Sequence, residues 1–263
     1  MTGLQRLDVD GHSIAYREAG QGPPLVVLHG FLCDSRCWIP QLTNLSDRFR
    51  VVAWDAPGAG ASSDPSEPFT NADWAQCLAS FLDMLGVEQA NICGLSWGGI
   101  LAQEFYRVYP ERIMRLILAD TYAGWRGSLG EDASAQRVAS CFQLSSGPAD
   151  ELLASFMPGA IAPDASAEAK DALAAIVSEF HPVGFRLMTL ACDVDTSDVQ
   201  ATIDIPTLLV WGEVDWRSPL HVAEAFRDAI PGAELAVIPG SGHISNMEKP
   251  EEFNAHVRRF CDA

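Results

Sequence analysis

The 263-residue chain is short of basic side chains: 17 Lys and Arg stand against 35 Asp and Glu, a formal charge of −18. Phosphate contacts are made by clustered Lys and Arg, so this balance argues against nucleic acid and against an anionic membrane surface as partners. Long apolar runs are missing too. Nowhere do about 18 consecutive apolar residues occur, so no membrane-spanning segment is expected. The opening residues, MTGLQRLDVDGHS, lack a cationic stretch followed by an apolar one, and no secretory signal is expected either. Cysteine is scattered, at positions 33, 37, 77, 93, 141, 192 and 261. An odd, dispersed set in a chain of this length is not a disulfide framework. Cys33 and Cys37 have no second Cys/His pair to complete a zinc site, so no metal is expected. Free thiols in a reducing, cytoplasmic compartment are the expectation. Internal repeats and low-complexity linkers are absent as well.

What is present is apolar. With 48% hydrophobic and 20% charged residues, the chain is too apolar for a disordered acidic tail. LQRLDV and HSIAYREAG flank Asp10-Gly11, a dipeptide that tolerates positive φ and suits a hairpin turn. Continuous apolar runs follow: PLVVLHG, RVVAWD, ANICGLS, RLILAD, TLLVWGE and ELAVIPG. Continuous rather than alternating apolarity marks strands buried on both faces. Between them, NADWAQCLASFLDMLG places Trp74, Leu78, Phe81, Leu82 and Leu85 on one helical stripe. WGGILAQEFYRVY, SPLHVAEAFRDAI and PEEFNAHVRRF also read as helices, the last with Pro250 in its first turn. Alternation of this kind predicts an α/β fold with a mostly parallel, doubly wound sheet, preceded by an antiparallel hairpin. The alternation stops between Tyr122 and Thr196, where the pattern is helical and no strand is expected. The expected organisation is a sheet domain of residues 1–121 and 197–263, with residues 122–196 a helical insertion over it.

Chemistry concentrates at the strand ends. Gly94-Leu95-Ser96-Trp97-Gly98-Gly99 falls where the ANIC strand gives way to a helix. A Ser in such a sharp turn is presented above the sheet, and the helix N-terminus favours negative charge there. A serine hydroxyl needs a base, and the base an orienting acid. Of six histidines, His243 lies just past the ELAVIPG strand, whereas His221 and His256 fall within helices and His12 in the hairpin. His181, in the insertion, is a candidate for lining a pocket; His29 is expected to shape its loop rather than react. Asp215 closes TLLVWGEVD and is the expected acid, with Asp120, at the end of RLILAD, its competitor. Asp55 precedes Ala-Pro-Gly, where its expected role is to hydrogen-bond the turn. Acyl transfer also requires donors for an oxyanion, expected from the backbone N–H of Trp97 and of Phe31. Cap residues Phe142, Phe156, Met157, Phe180, Phe185 and Met188 are candidates for an apolar acyl pocket, with Trp38 and Trp97 flanking its mouth.

Taken in order, PLVVLHGF, RVVAWDAPGAGASS, GLSWGG, GEVDWRSPL and GSGHISNMEKPEEF resemble the α/β-hydrolase superfamily over nearly the whole chain. The resemblance implies a triad of Ser96, Asp215 and His243, an oxyanion hole at Phe31 and Trp97, and a variable helical cap over 122–196. It is similar to a single-chain, cofactor-free group of carboxylesterases, 3-oxoadipate enol-lactone hydrolases, non-haem haloperoxidases (perhydrolases) and carbon–carbon bond hydrolases. Ser96 departs from the Asp nucleophile of dehalogenases of this fold, and Ile244 from the Lys beside the catalytic His of hydroxynitrile lyases. Trp97 stands where perhydrolases and enol-lactone hydrolases favour Met. The expectation is therefore a cofactor-free serine hydrolase acting on a small-molecule ester or lactone, neutral or apolar because the cap is net acidic. Perhydrolase or enol-lactone hydrolase activity, and a small-molecule receptor on the same fold, are the alternatives.

Overall fold

A computed structural model describes residues 3–262 of the chain. The two hairpin arms and the six apolar runs form one sheet: β1 (Leu4–Val9), β2 (His12–Ala19), β3 (Pro24–Leu28), β4 (Arg50–Trp54), β5 (Ala90–Leu95), β6 (Ile113–Ala119), β7 (Thr207–Gly212) and β8 (Glu234–Ile238). Their order is β1-β2-β4-β3-β5-β6-β7-β8. β1 pairs antiparallel with β2, and β2 antiparallel with β4; every later pairing is parallel. The hairpin turns on Asp10 (φ 52°) and Gly11 (φ 83°), as its dipeptide predicts.

Continuity of apolar sequence becomes burial on both faces. Every residue of β5 and β7 is buried, and β3 and β4 are buried after their first residue. Removing each such Val, Leu or Ile from water contributes about 1.5–3 kcal/mol before the entropy of ordering is counted. The predicted helices form over Asn71–Met84, Trp97–Val108, Leu220–Ala229 and Pro250–Cys261. The first starts at a capping box: the Asp73 carboxylate accepts the Thr70 N–H at 2.7 Å, and the Thr70 hydroxyl oxygen accepts the Asp73 N–H.

Strand order decides where a site can form. β3 has β4 on one side and β5 on the other, so the sheet's winding reverses at β3. Loops leaving the carboxyl ends of β3 and β5 diverge there, and the crevice between them is the natural ligand position in an open parallel sheet.

Among the described residues, five helices fall within 122–196, between β6 and β7: Gly124–Leu129, Glu131–Leu144, Ala149–Ala160, Ala167–Ser178 and Pro182–Cys192; a short sixth, Ser197–Gln200, precedes β7. They are tied to the sheet's own helices by polar contacts. The Asn71 side chain donates to the Ala191 carbonyl (2.7 Å), and the Thr196 hydroxyl donates to Gln103 Oε1 (2.9 Å). All seven cysteines are free, and burial pushes the thiols of Cys37, Cys93 and Cys192 well above the ordinary range. No helix among the described residues is long and apolar enough to cross a membrane.

Candidate active site

β5 delivers Ser96 into a left-handed backbone conformation, φ 52° and ψ −117°. For a residue with a side chain this costs on the order of 1–3 kcal/mol and persists only where the surroundings impose it. Here the Ser96 N–H donates to the Ala119 carbonyl (2.9 Å), while the Ser96 carbonyl accepts from the Gly99 N–H (2.9 Å) and the Thr121 hydroxyl. The motif's glycines make the turn possible. A Cβ on Gly94 would collide with the Gly98 carbonyl, and one on Gly98 with the carbonyls of Leu28 and His29.

Two other loops converge on the hydroxyl. His243 Nε2 lies 2.9 Å from Ser96 Oγ, and His243 Nδ1 lies 2.8 Å from Asp215 Oδ2. All three residues are buried. The remaining Asp215 oxygen accepts the backbone N–H groups of Arg217 (2.8 Å) and Ser218 (3.0 Å), which orients the carboxylate toward the ring. The His243 loop is itself pinned by Glu248, whose carboxylate accepts the N–H groups of Gly242 (3.0 Å), Ile244 (3.3 Å) and Ala162 (3.1 Å). Burial nevertheless pushes the Glu248 carboxyl up, those three donors and the nearby His243 opposing it. Ala162 belongs to the helical segment, so one carboxylate joins that segment to the histidine loop.

Asp120 has a different set of partners. It is fully buried, accepts the Gly212 N–H at 2.8 Å and receives the Ser245 hydroxyl and N–H. Burial, then the charge of Asp215, pushes its carboxyl well above the usual range. It braces the loops after β7 and β8 and makes no hydrogen bond to the histidine. Glu213 turns to the Gly240 N–H, and Asp55 accepts the N–H groups of Ser35 and Ala61 across its turn.

Two backbone donors remain uncommitted. The N–H groups of Phe31 and Trp97 find no protein acceptor among the described residues. His29 sets the first of them. Its Nε2 accepts the Ala56 N–H (3.0 Å), which leaves the proton on Nδ1, where it meets the Gly30 carbonyl at 2.9 Å. Burial pulls the imidazole pKa down, in keeping with that neutral form. In a trans peptide the carbonyl and the following N–H point in opposite directions, so anchoring Gly30 O turns the Phe31 N–H away from His29.

With this geometry in view, the chain matches the family model described as the alpha/beta hydrolase fold over residues 23–250. The chain belongs to the α/β-hydrolase fold family. It is 30% identical to an uncharacterised carboxylesterase of Bacillus subtilis strain 168, over 92% of this chain and 80% of that one. It is 26% identical to a pimeloyl-[acyl-carrier protein] methyl ester esterase of Vibrio campbellii, over 95% and 98%. Among solved structures it superposes on a thermophilic esterase from Thermogutta terrifontis with a TM-score of 0.91, 26% identity, and coverage of 99% and 98%.

In this α/β hydrolase the Ser96 hydroxyl opens on a narrow chamber of about 20 Å³, walled by Tyr122, Trp125, Phe156, Arg137 and Arg217 as well as His243. A larger chamber of about 420 Å³ adjoins it and shares Phe31, Trp125, Arg137, Phe156 and Arg217. Of the apolar residues expected to line a pocket, Phe156 and Phe185 do so. Phe180 and Met188 instead line a small cavity beside His181 that shares Leu32 and Phe185 with the larger chamber. His181 bonds Asp64 and the Gly60 carbonyl. Met157 packs against the core at the edge of the helical segment, and Phe142 faces outward.

The expected indole mouth is not there. Trp38 is fully buried against Phe253, and the Trp97 indole packs against Trp74 at a centroid distance of 5.1 Å. Both pack against aromatic rings of neighbouring helices, and burial there removes a large ring from water. Four wall residues, Tyr122, Trp125, Arg137 and Arg217, escape a reading of sequence alone. Arg217 had the stronger signal, two residues past Asp215 in the same loop; Arg137 lies on a helix whose pattern carries none.

Proposed function

We propose that this protein is a serine hydrolase that cleaves a carboxylic ester, open-chain or lactone, through an acyl-enzyme on Ser96. The observation that carries the reading is the hydrogen-bonded chain from Ser96 Oγ to His243 Nε2 at 2.9 Å and from His243 Nδ1 to Asp215 Oδ2 at 2.8 Å. Its similarity to proteins named as esterases supports the same chemistry. The segment 122–196 is read as the cap that closes the site and supplies most of the chamber's walls.

In this mechanism His243 Nε2 takes the Ser96 proton as Oγ attacks the carbonyl carbon. The oxyanion is held by the N–H groups of Phe31 and Trp97, which are already oriented and have no competing acceptor; a donor of this kind contributes about a hundred- to a thousand-fold in rate. Asp215 keeps the imidazole proton on Nδ1 and stabilises the imidazolium that forms. His243 returns the proton to the leaving alkoxide, and the alcohol departs. Water then adds to the acyl-enzyme with the same base, releasing the acid and restoring the Ser96 hydroxyl. A lactone yields a single hydroxy acid by the same bond changes.

Removing the nucleophile tests this directly. Ser96→Ala lowers turnover of a short p-nitrophenyl ester by on the order of 10⁶-fold. A fluorophosphonate labels wild type at Ser96 and leaves the variant unlabelled. Turnover of the variant at the wild-type rate refutes the assignment.

A further inference from the structure

Two guanidinium groups face the chambers beside Ser96, and neither has an acid to pair with. Arg137 donates to the Tyr122 hydroxyl (3.0 Å) and to the Arg217 carbonyl (3.1 Å). Arg217 donates to the Phe156 carbonyl (2.8 Å), and its Nε is out of contact with solvent and has no hydrogen-bond partner. Each guanidinium carries five N–H donors, so most of them remain open. Among the described residues no carboxylate lies within ion-pair distance of either group, whereas most other arginines of the chain are paired.

The surroundings do not neutralise them. Arg217 lies over the Phe156 ring, 4.3 Å from its centroid, and Arg137 over Tyr122 and Trp125 at 5.6 and 5.7 Å. Such cation–π contacts orient a guanidinium and offset part of its desolvation but do not replace a counter-charge. Burial, joined by the charge of Arg137, pulls the Arg217 pKa down; Tyr122, Asp215 and Cys141 oppose it, and an arginine remains charged through such a shift. Asp215, the carboxylate whose charge acts on Arg217, is already engaged by His243 and two backbone amides. No Asp or Glu lines either chamber. The acidic character of the whole chain is therefore reversed at the one place where a substrate sits.

We propose that the substrate is an ester or lactone bearing a carboxylate, and that Arg137 and Arg217 hold this carboxylate in the chamber beside Ser96. The inference rests on the reading of Ser96 as an ester-cleaving nucleophile and replaces the expectation of a neutral substrate. A planar fork of donors suits a carboxylate, which accepts two parallel N–H bonds. Placement follows from Tyr122. Its ring centroid lies 6.0 Å from that of His243, and its hydroxyl touches Arg137. Arg137 is thus set back from the reacting carbonyl by a tyrosine side chain, so the carboxylate it holds belongs on an arm of the substrate and not on the bond cleaved. The apolar walls contributed by Phe31, Trp125, Phe156 and Phe185 accommodate that arm.

The test compares isosteric esters differing in one charge. Mono-p-nitrophenyl glutarate and adipate are set against p-nitrophenyl butyrate and hexanoate, and 4-acetoxybutyrate against butyl acetate, so that both substrate arms are sampled. Wild type prefers the charged member of at least one pair by about ten- to a hundred-fold in kcat/KM. Arg137→Gln and Arg217→Gln each shrink that ratio at least about five-fold, and the Lys variants restore part of it. A wild-type ratio near one in every pair, or a ratio that neither substitution moves, overturns the proposal. Calorimetry of glutarate binding to the Ser96→Ala protein, with and without each Arg substitution, reads the same site without turnover. Arg-dependent glutarate binding, when wild type itself cleaves no ester of the panel, refutes the nucleophile assignment and supports the anion site. Ester cleavage without charge preference or glutarate binding does the reverse.

Discussion

The strand-end loops and the helices between β6 and β7 build one chamber by different means. Ser96, Asp215 and His243 leave the sheet at the carboxyl ends of β5, β7 and β8, and each is held by backbone hydrogen bonds at its own turn. Phe156, Trp125 and Arg137 come from helices, where a shift of one residue turns a side chain through about 100°. The loops are placed to within hydrogen-bond tolerance because the sheet register fixes their starting points. The helical walls are placed by packing, with Glu248 tying Ala162 to the histidine loop. On the proposed reading the hydrogen-bonded triad sits on the first kind of element, whereas the chamber's walls come mostly from the second, with Arg217 contributed by a strand-end loop.

That contrast can be broken experimentally, and the largest effect belongs to the loops. Asp215→Asn lowers kcat on a short p-nitrophenyl ester by about 10⁴-fold, because the amide no longer fixes the imidazole tautomer. Asp120→Asn, at the neighbouring strand end, changes kcat by no more than a few-fold. Equal losses would place Asp120 in the chemistry and erase the distinction between a catalytic and a bracing aspartate.

A wall substitution has a smaller effect of another type. Phe156→Ala removes apolar surface from both chambers and the ring beneath Arg217, so KM rises by roughly ten-fold while kcat falls by less. A loss confined to kcat would show that the helix side chain positions the reacting carbonyl instead of binding the substrate's arm.

The smallest effect is a change of slope with pH. Asp120 is raised in the folded protein above its unfolded value of about 3.9. Between those two values the native state binds more protons than the unfolded chain, so stability declines as pH rises through the window above about 4. Asparagine has no proton to lose. The urea midpoint of Asp120→Asn therefore improves relative to wild type as the pH is raised above about 5. Parallel profiles would mean that Asp120 does not contribute to the pH dependence.

Much of this was legible in the residues themselves. Continuous apolar runs identified six strands, because burial on both faces leaves little room for polar side chains, and the Asp10-Gly11 turn identified the two hairpin arms. The motif Gly94 to Gly99 marked its turn because a Cβ at Gly94 or Gly98 would strike backbone. His243 and Asp215 were singled out by standing just past strands. Trp38 and Trp97 were misread as mouth residues, since aromaticity alone does not say which face of an element is covered. Phe142 was misread for the same reason on its helix.

Net charge and chamber lining point in different directions. A net-acidic cap suggested a neutral substrate, yet the acids lie outside the chamber linings and two arginines lie within them. Net charge is a sum over a surface, whereas a ligand responds to the few groups within hydrogen-bond reach.

The sequence by itself determined the order of strands and helices, the sharp turn at Ser96 and the kind of chemistry the strand-end residues suit. These depend on local periodicity and on steric limits within a few residues. Tertiary structure alone decided which carboxylate meets His243, which side chains wall the chamber and what charge they present there. Each of those depends on distances between residues far apart in the chain, and only packing sets them.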